Sequence, residues 1–324
     1  MSRPLLRFNF WLDNYPEYNC GALGNVDWRS RGTSRPVLGA LSIAFGLLTI
    51  PVYAICAVAM LAMRELSAYK IMLYLAVADS TDLLFASLAF GVMSITGEVY
   101  CSNPRFQLLF SLGLEFFFFC SGTGCLILAF NRFGEMLRIR PIIWLFKGSR
   151  AYWVLGACTI PVCLLVLFTP LMLFNSTHHM LFFDPMIFDG KFSYESPVHF
   201  AFVIFLPTAS LTCYVLLLLG LVCRYGSVRE LRESQALSKA TLPILVQSGA
   251  IIAIHMTALM TFQLVQFMPA EAVDAALYLA HVGWMLVHGS PPIVYLALNG
   301  TIRKPFDGIL WIDTPKLSIC PIFT

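Results

Sequence analysis

Seven apolar stretches, each long enough to cross a bilayer, occupy most of this chain: roughly 37–63, 71–96, 106–130, 151–174, 198–223, 242–268 and 275–298. Crossing the hydrocarbon core as a helix takes about 20 predominantly apolar residues. In lipid the backbone finds no water, so each stretch must pair its own N–H and C=O groups as a helix. The short alternating segments of a membrane barrel are absent. The expected fold is therefore an all-α membrane protein, a seven-transmembrane helix bundle over 37–298. Residues 1–36 form one tail and 299–324 the other. With 58% of 324 residues hydrophobic and 12% charged, little chain is left for a second folded domain.

The basic residues set an orientation. Arg64 and Lys70 lie between stretches 1 and 2; Arg132, Arg138, Arg140, Lys147 and Arg150 between 3 and 4; Arg224, Arg229, Arg232 and Lys239 between 5 and 6. The alternate loops hold only Arg105 and Lys191. Basic loops stay cytoplasmic, which puts the N-terminus outside and the C-terminus inside. Arg29, Arg31 and Arg35, just before the first stretch, pull the other way. The net charge of +3 gives no reason to expect nucleic acid. No apolar leader core is visible at the N-terminus.

On this topology, most of the ten cysteines are embedded in spans, where a thiol behaves as a small apolar group. Cys20 in the external tail and Cys101 in the first external loop face the oxidising side, and the loop at 175–197 carries no cysteine. A Cys20–Cys101 disulfide is the external pair expected. The sequon Asn175-Ser176-Thr177 would lie outside, making Asn175 the expected glycan site. Asn299-Gly300-Thr301 would lie inside and stay bare.

Ionisable groups at membrane depth are costly and mark function. Asp79 and Asp82 share one face of span 2, and Glu115 lies in span 3, with no Lys or Arg in any span to neutralise them. Two readings stand for the aspartates: a polar cluster cementing the helices, or a cation or proton site that responds to activation. Glu115 stands about 25 Å along the helix from Arg132, the depth of an outward cavity floor, though a helix–helix hydrogen bond fits equally. In span 7, His281, Trp284 and His288 form one stripe. Span 6 adds His255, Gln263 and Gln266. The wall expected to face a ligand is Glu115, His281, Trp284 and Gln266. Inter-helix bonding is the alternative. No metal-ligand spacing such as HExxH is present.

Three ordered motifs narrow the bundle. Span 2 reads Leu75-Ala76-Val77-Ala78-Asp79, span 3 ends Phe130-Asn131-Arg132-Phe133, and span 7 ends Pro291-Pro292-Ile293-Val294-Tyr295. These resemble rhodopsin-like receptor motifs, with Asn131 replacing the acid before Arg132 and Pro291 replacing the asparagine before Pro292. Further segments, Tyr69-Lys70-Ile71-Met72, Tyr100-Cys101-Ser102-Asn103-Pro104, Phe182-Phe183-Asp184-Pro185 and 299–303, look like the nematode serpentine receptors of class T, over roughly 36–304.

That resemblance implies a chemosensory G protein-coupled receptor in the plasma membrane, with a sensory cilium as one location. A small extracellular ligand and a heterotrimeric G protein would be its partners, and no cofactor is implied. It casts Asp79, Asp82, Asn131, Arg132, Pro292 and Tyr295 as switch and coupling residues. The departures matter: Asn131 cannot make the usual acid–Arg contact, and Ile254-His255-Met256-Thr257 stands where Cys-Trp-x-Pro is usual. Residues 301–312 are expected to form a short amphipathic eighth helix on the inner surface.

Other classes fare worse. Span 7 has no lysine for a retinal Schiff base. No GxSxG or HExxH pattern suggests an enzyme. A transporter or ligand-gated channel remains the alternative, without the repeat between halves that many transporters carry.

Overall fold

The computed structural model describes residues 15–188, 197–225, 249–258 and 270–303. It also describes Phe8, Asn9, Leu12, Phe192, Tyr194, Ser196, Val246, Gln247, Met260 and Thr261. Gln263, Gln266, the expected inner loop at 226–245 and the tail from 304 onward lie outside the described residues.

Helix α1, Pro36–Ala62, opens with a proline at a first-turn position, where its missing N–H costs nothing. Helix α2, Ser67–Thr96, contains one wider π-turn at Leu84–Ala89. It stops at Gly97, whose φ of 73° only glycine adopts without strain. Helix α3, Pro104–Met136, is capped by the Asn103 side chain, which accepts from the Phe106 N–H. Helices α4, Arg150–Phe168, and α5, Pro197–Tyr225, follow. Helices α1 to α5 are long and apolar enough to cross a membrane. Helix α6, Gly249–Ala258, is a shorter apolar helix within the sixth expected span. Helix α7, Ala270–Leu298, packs on α1 and α2.

Helix α3 runs through the middle against α2, α4 and α5. Helices α1 and α2 touch almost backbone to backbone: a Cβ on Gly39 would lie 2.4 Å from the Gly91 carbonyl oxygen. Outward side chains such as Val37, Leu48 and Trp153 are largely exposed, as a lipid-facing wall requires.

The fourth span departs from its expected length. Helicity was expected to Phe174, but α4 ends at Phe168. Thr169 precedes Pro170, whose ring drives the residue before it out of the helical region, and Thr169 is extended. The freed chain forms strand β1, Leu173–Asn175, which pairs antiparallel with β2, Met180–Phe182. Asn9 from the N-terminal tail donates to the carbonyls of Val166 and Thr169 at 2.6 and 2.8 Å, satisfying oxygens the broken helix leaves bare. A short helix at Arg140–Phe146, unexpected from the sequence, links α3 to α4. After α7, Gly300–Arg303 makes one helical turn; the rest of the expected eighth helix lies outside the described residues.

Candidate functional site

The buried acids and the histidines of distant helices meet in the core. Asp79, Asp82 and Glu115 are all nearly or fully inaccessible. His288 of α7 inserts between the two aspartates. Its Nδ1 lies 2.9 Å from Asp79 Oδ1 and its Nε2 3.4 Å from Asp82 Oδ2. A carboxylate only accepts, so Nδ1 carries the proton in the shorter contact. Ser121 of α3 donates to the same Asp79 oxygen at 2.5 Å, and Trp284 Nε1 donates to Asp82 Oδ2 at 3.3 Å. The cluster therefore joins α2, α3 and α7. Two carboxyl groups thus converge on one imidazole.

Helix α7 carries this cluster on a weakened turn. Pro292 has no N–H to give the His288 carbonyl four residues earlier. That oxygen instead accepts from Tyr53 OH of α1 at 2.5 Å. Cys56 Sγ lies 3.6 Å from the Pro292 carbonyl oxygen. Tyr295, one turn on, is buried among Tyr53, Cys56, Leu75 and Ile127.

Glu115 takes a different part. Its Oε1 accepts from the Met172 N–H at 2.5 Å, and its Oε2 lies 3.5 Å from His199 Nδ1 of α5. Gln107, two turns earlier, accepts from the Phe174 N–H at 3.1 Å. These two α3 side chains pin β1 inside the bundle, where Phe174 and Leu181 pack with Phe90 and Phe110. The hairpin turn is bolted to the chain before α1. Arg35 donates to the carbonyls of Ser176 at 3.2 Å and Thr177 at 2.6 Å. The guanidinium of Arg31 lies over the Trp28 ring. Two of the three arginines that opposed the charge pattern, Arg31 and Arg35, thus have structural employment at this end. His179 in the turn is buried, and burial first, then nearby Arg35, push its imidazole down to about 4.

A cavity of about 100 Å³ lies between α3, α5, α6 and α7. Phe118, Val203, Leu206, Ile251 and Val287 give it apolar walls. Trp284, His288, His199, His255 and Ser210 supply its polar edges. Of the four residues expected to face a ligand, Trp284 lines it. His281 sits elsewhere on the stripe, stacked on Phe90 at 3.7 Å and 3.3 Å from Ser42 Oγ. Glu115 lies beneath the hairpin and is not part of the lining. Gln266 is outside the described residues.

At the far end of α3, Arg132 finds an acid on the other side. Its Nη1 lies 3.4 Å from Glu135 Oε2. Ser67, at the start of α2, donates to Glu135 Oε1 at 2.5 Å and accepts from Asn131 Nδ2 at 3.1 Å. The arginine is therefore held without an acid at position 131.

At the opposite end, Cys20 and Cys101 are joined by a disulfide, tying the tail to the turn before α3. Tyr18, Tyr100 and Tyr194 pack edge to face beside it. Asn175 is buried at the end of β1 with Nδ2 3.0 Å from Met186 Sδ, so a glycan there requires that contact to open.

The chain matches the model of the family described as serpentine type 7TM GPCR chemoreceptor Srt across residues 5–318. It belongs to that family. The receptor is also similar to serpentine receptor class T-55 of Caenorhabditis elegans, 24% identical over 320 residues, covering 95% of this chain and 85% of that protein. Family and helices together make it a multi-pass membrane receptor with an all-α, seven-span bundle, and the family is one of receptors rather than enzymes.

His199, Ser121, Tyr53, Ser67 and Glu135 are site residues that the sequence did not single out. A signal existed for the histidines: three acids in spans without Lys or Arg leave imidazoles as the available counter-groups.

Proposed function

We propose that this Srt receptor binds a small extracellular ligand in the cavity between α3, α5, α6 and α7 and activates a heterotrimeric G protein at its Arg132 end. The observation that carries this reading is shared membership. Trp284 and His288 belong both to the cavity wall and to the buried cluster with Asp79 and Asp82. A ligand pressing on that wall acts directly on the contact that joins α2, α3 and α7.

In the resting form, Glu135, itself held by Ser67, holds Arg132, and the displaced acid does the restraining that Asn131 cannot. Release frees a planar guanidinium with several donors for carbonyls of a docking helix. A ligand favours the active form only through its stronger binding to that form. The basic loops support a reading with the Arg132 end in the cytoplasm and the tail and hairpin outside, in a plasma membrane or a sensory cilium.

The test is nucleotide exchange on purified Gα by the receptor in nanodiscs, with an agonist found by screening. Agonist-stimulated exchange is expected from the wild type. Arg132→Ala should retain ligand binding and lose the exchange. Ion or solute flux without G protein, and no exchange, would favour the transporter or channel alternative.

A further inference from the structure

We infer that the cavity takes a neutral, largely apolar molecule whose recognised group is a hydrogen-bond donor, a hydroxyl above all. This rests on the reading of the cavity as the ligand site and names the chemistry of its occupant.

Charge is the first constraint. No Asp, Glu, Lys or Arg lines the cavity among the described residues. The nearby acids are turned to other work: Asp79 and Asp82 hold His288, and Glu115 faces Met172 and His199. An ammonium would therefore meet imidazoles and Phe rings instead of a free carboxylate, and a carboxylate would find no fixed cation. Moving an unpaired ion into such a place is strongly unfavourable.

Hydrogen-bond polarity is the second constraint. His255 of α6 lines the cavity with Nδ1 2.9 Å from the Ile251 carbonyl oxygen. A carbonyl can only accept, so Nδ1 carries the hydrogen of the neutral ring, and Nε2 is left with a bare lone pair. Nε2 is buried and has no hydrogen-bond partner among the described residues. Ser210 of α5, also in the lining, spends its hydroxyl hydrogen on the Leu206 carbonyl at 2.8 Å, leaving oxygen lone pairs. Both groups offer acceptors. A buried acceptor without a donor is costly, and a ligand hydroxyl removes that cost where an ether or ketone cannot.

The experiment uses the full-length receptor in nanodiscs and three photoreactive probes: a diazirine-bearing octanol, its methyl ether and the corresponding amine. Labelled peptides are mapped by mass spectrometry. The alcohol should label segments 199–210 and 251–258 about tenfold more efficiently than either relative, the scale of one recovered hydrogen bond at a buried acceptor. Excess unlabelled octanol should compete. His255→Leu should erase the preference for alcohol over ether while the ether still labels, which also shows the cavity is intact. His255→Gln, which keeps an acceptor oxygen, should preserve part of the preference. Equal labelling by alcohol and ether in the wild type, or strongest labelling by the amine, overturns the inference and leaves the cavity reading standing. No labelling of these segments by any probe overturns both.

Discussion

Glu115 and Asp79 are both buried carboxylates facing a histidine from a distant helix, yet their remaining partners differ in kind. Glu115 spends an oxygen on the Met172 N–H just before β1, in a hairpin held again by Gln107 and Arg35. Asp79 spends its oxygen on Ser121 and on His288, whose helix turn is already loosened by Pro292. The first acid secures a roof. The second holds a side chain on a helix turn that lacks a backbone bond. On the proposed function, burial alone does not make a switch; the loosened turn beneath the partner does.

The largest expected effect falls on the fixed side. Glu115→Ala strands the Met172 N–H and His199 in a dry interior and should cost about 3 kcal/mol of stability. It should appear in thermal unfolding and in reduced surface levels. Unfolding at wild-type temperature would remove the distinction drawn between the two acids.

Acid should loosen the same region next. The docked hairpin keeps His179 neutral down to about 4, whereas a free imidazole protonates near about 6.5. The opened form takes up the proton first. Hairpin stability is thus complete above about 6.5 and declines as pH falls toward about 4, by about 1–2 kcal/mol at pH ~5. Intrinsic-rate-corrected hydrogen exchange of residues 173–182 should accelerate over that window, and His179→Gln should flatten the dependence.

On the mobile side the effects move to signalling. Glu135→Gln weakens the half-exposed contact with Arg132 and should raise ligand-free nucleotide exchange up to about fivefold, the reach of an ion pair worth up to about 1 kcal/mol. Melting should change little. Unchanged basal exchange would show that Glu135 does not restrain Arg132.

The smallest expected effect is at Asn175. With its amide against Met186, Asn175→Gln should shift thermal unfolding by less than about 1 kcal/mol. Glycosidase treatment of wild type and variant would show whether the sequon is used.

Much of the bundle was legible because the bilayer dictates span length. The end of α4 was misplaced because the apolar run continues past Thr169-Pro170, and hydrophobicity does not distinguish a helix from a buried three-residue strand. The three acids stood out as charges in apolar stretches. Their partners did not, since His288 lies 209 residues from Asp79 and Met172 lies 57 from Glu115. Only the packing of helices brings such pairs together. His281, Trp284 and His288 were legible as a stripe, but which of them face the cavity depends on how α7 is rotated. Glu135 was overlooked for a local reason: the acid that contacts Arg132 follows it by three residues instead of preceding it.

The most direct test of the switch is ligand-free nucleotide exchange by Asp79→Asn, measured beside its thermal unfolding in the same nanodiscs. An amide still meets Ser121 and His288 but changes their hydrogen-bond terms, so basal exchange should change several-fold while unfolding shifts by less than about 1 kcal/mol. Unaltered exchange with a large loss of stability would make Asp79 a structural anchor like Glu115 and contradict the coupling of cavity to Arg132 through His288.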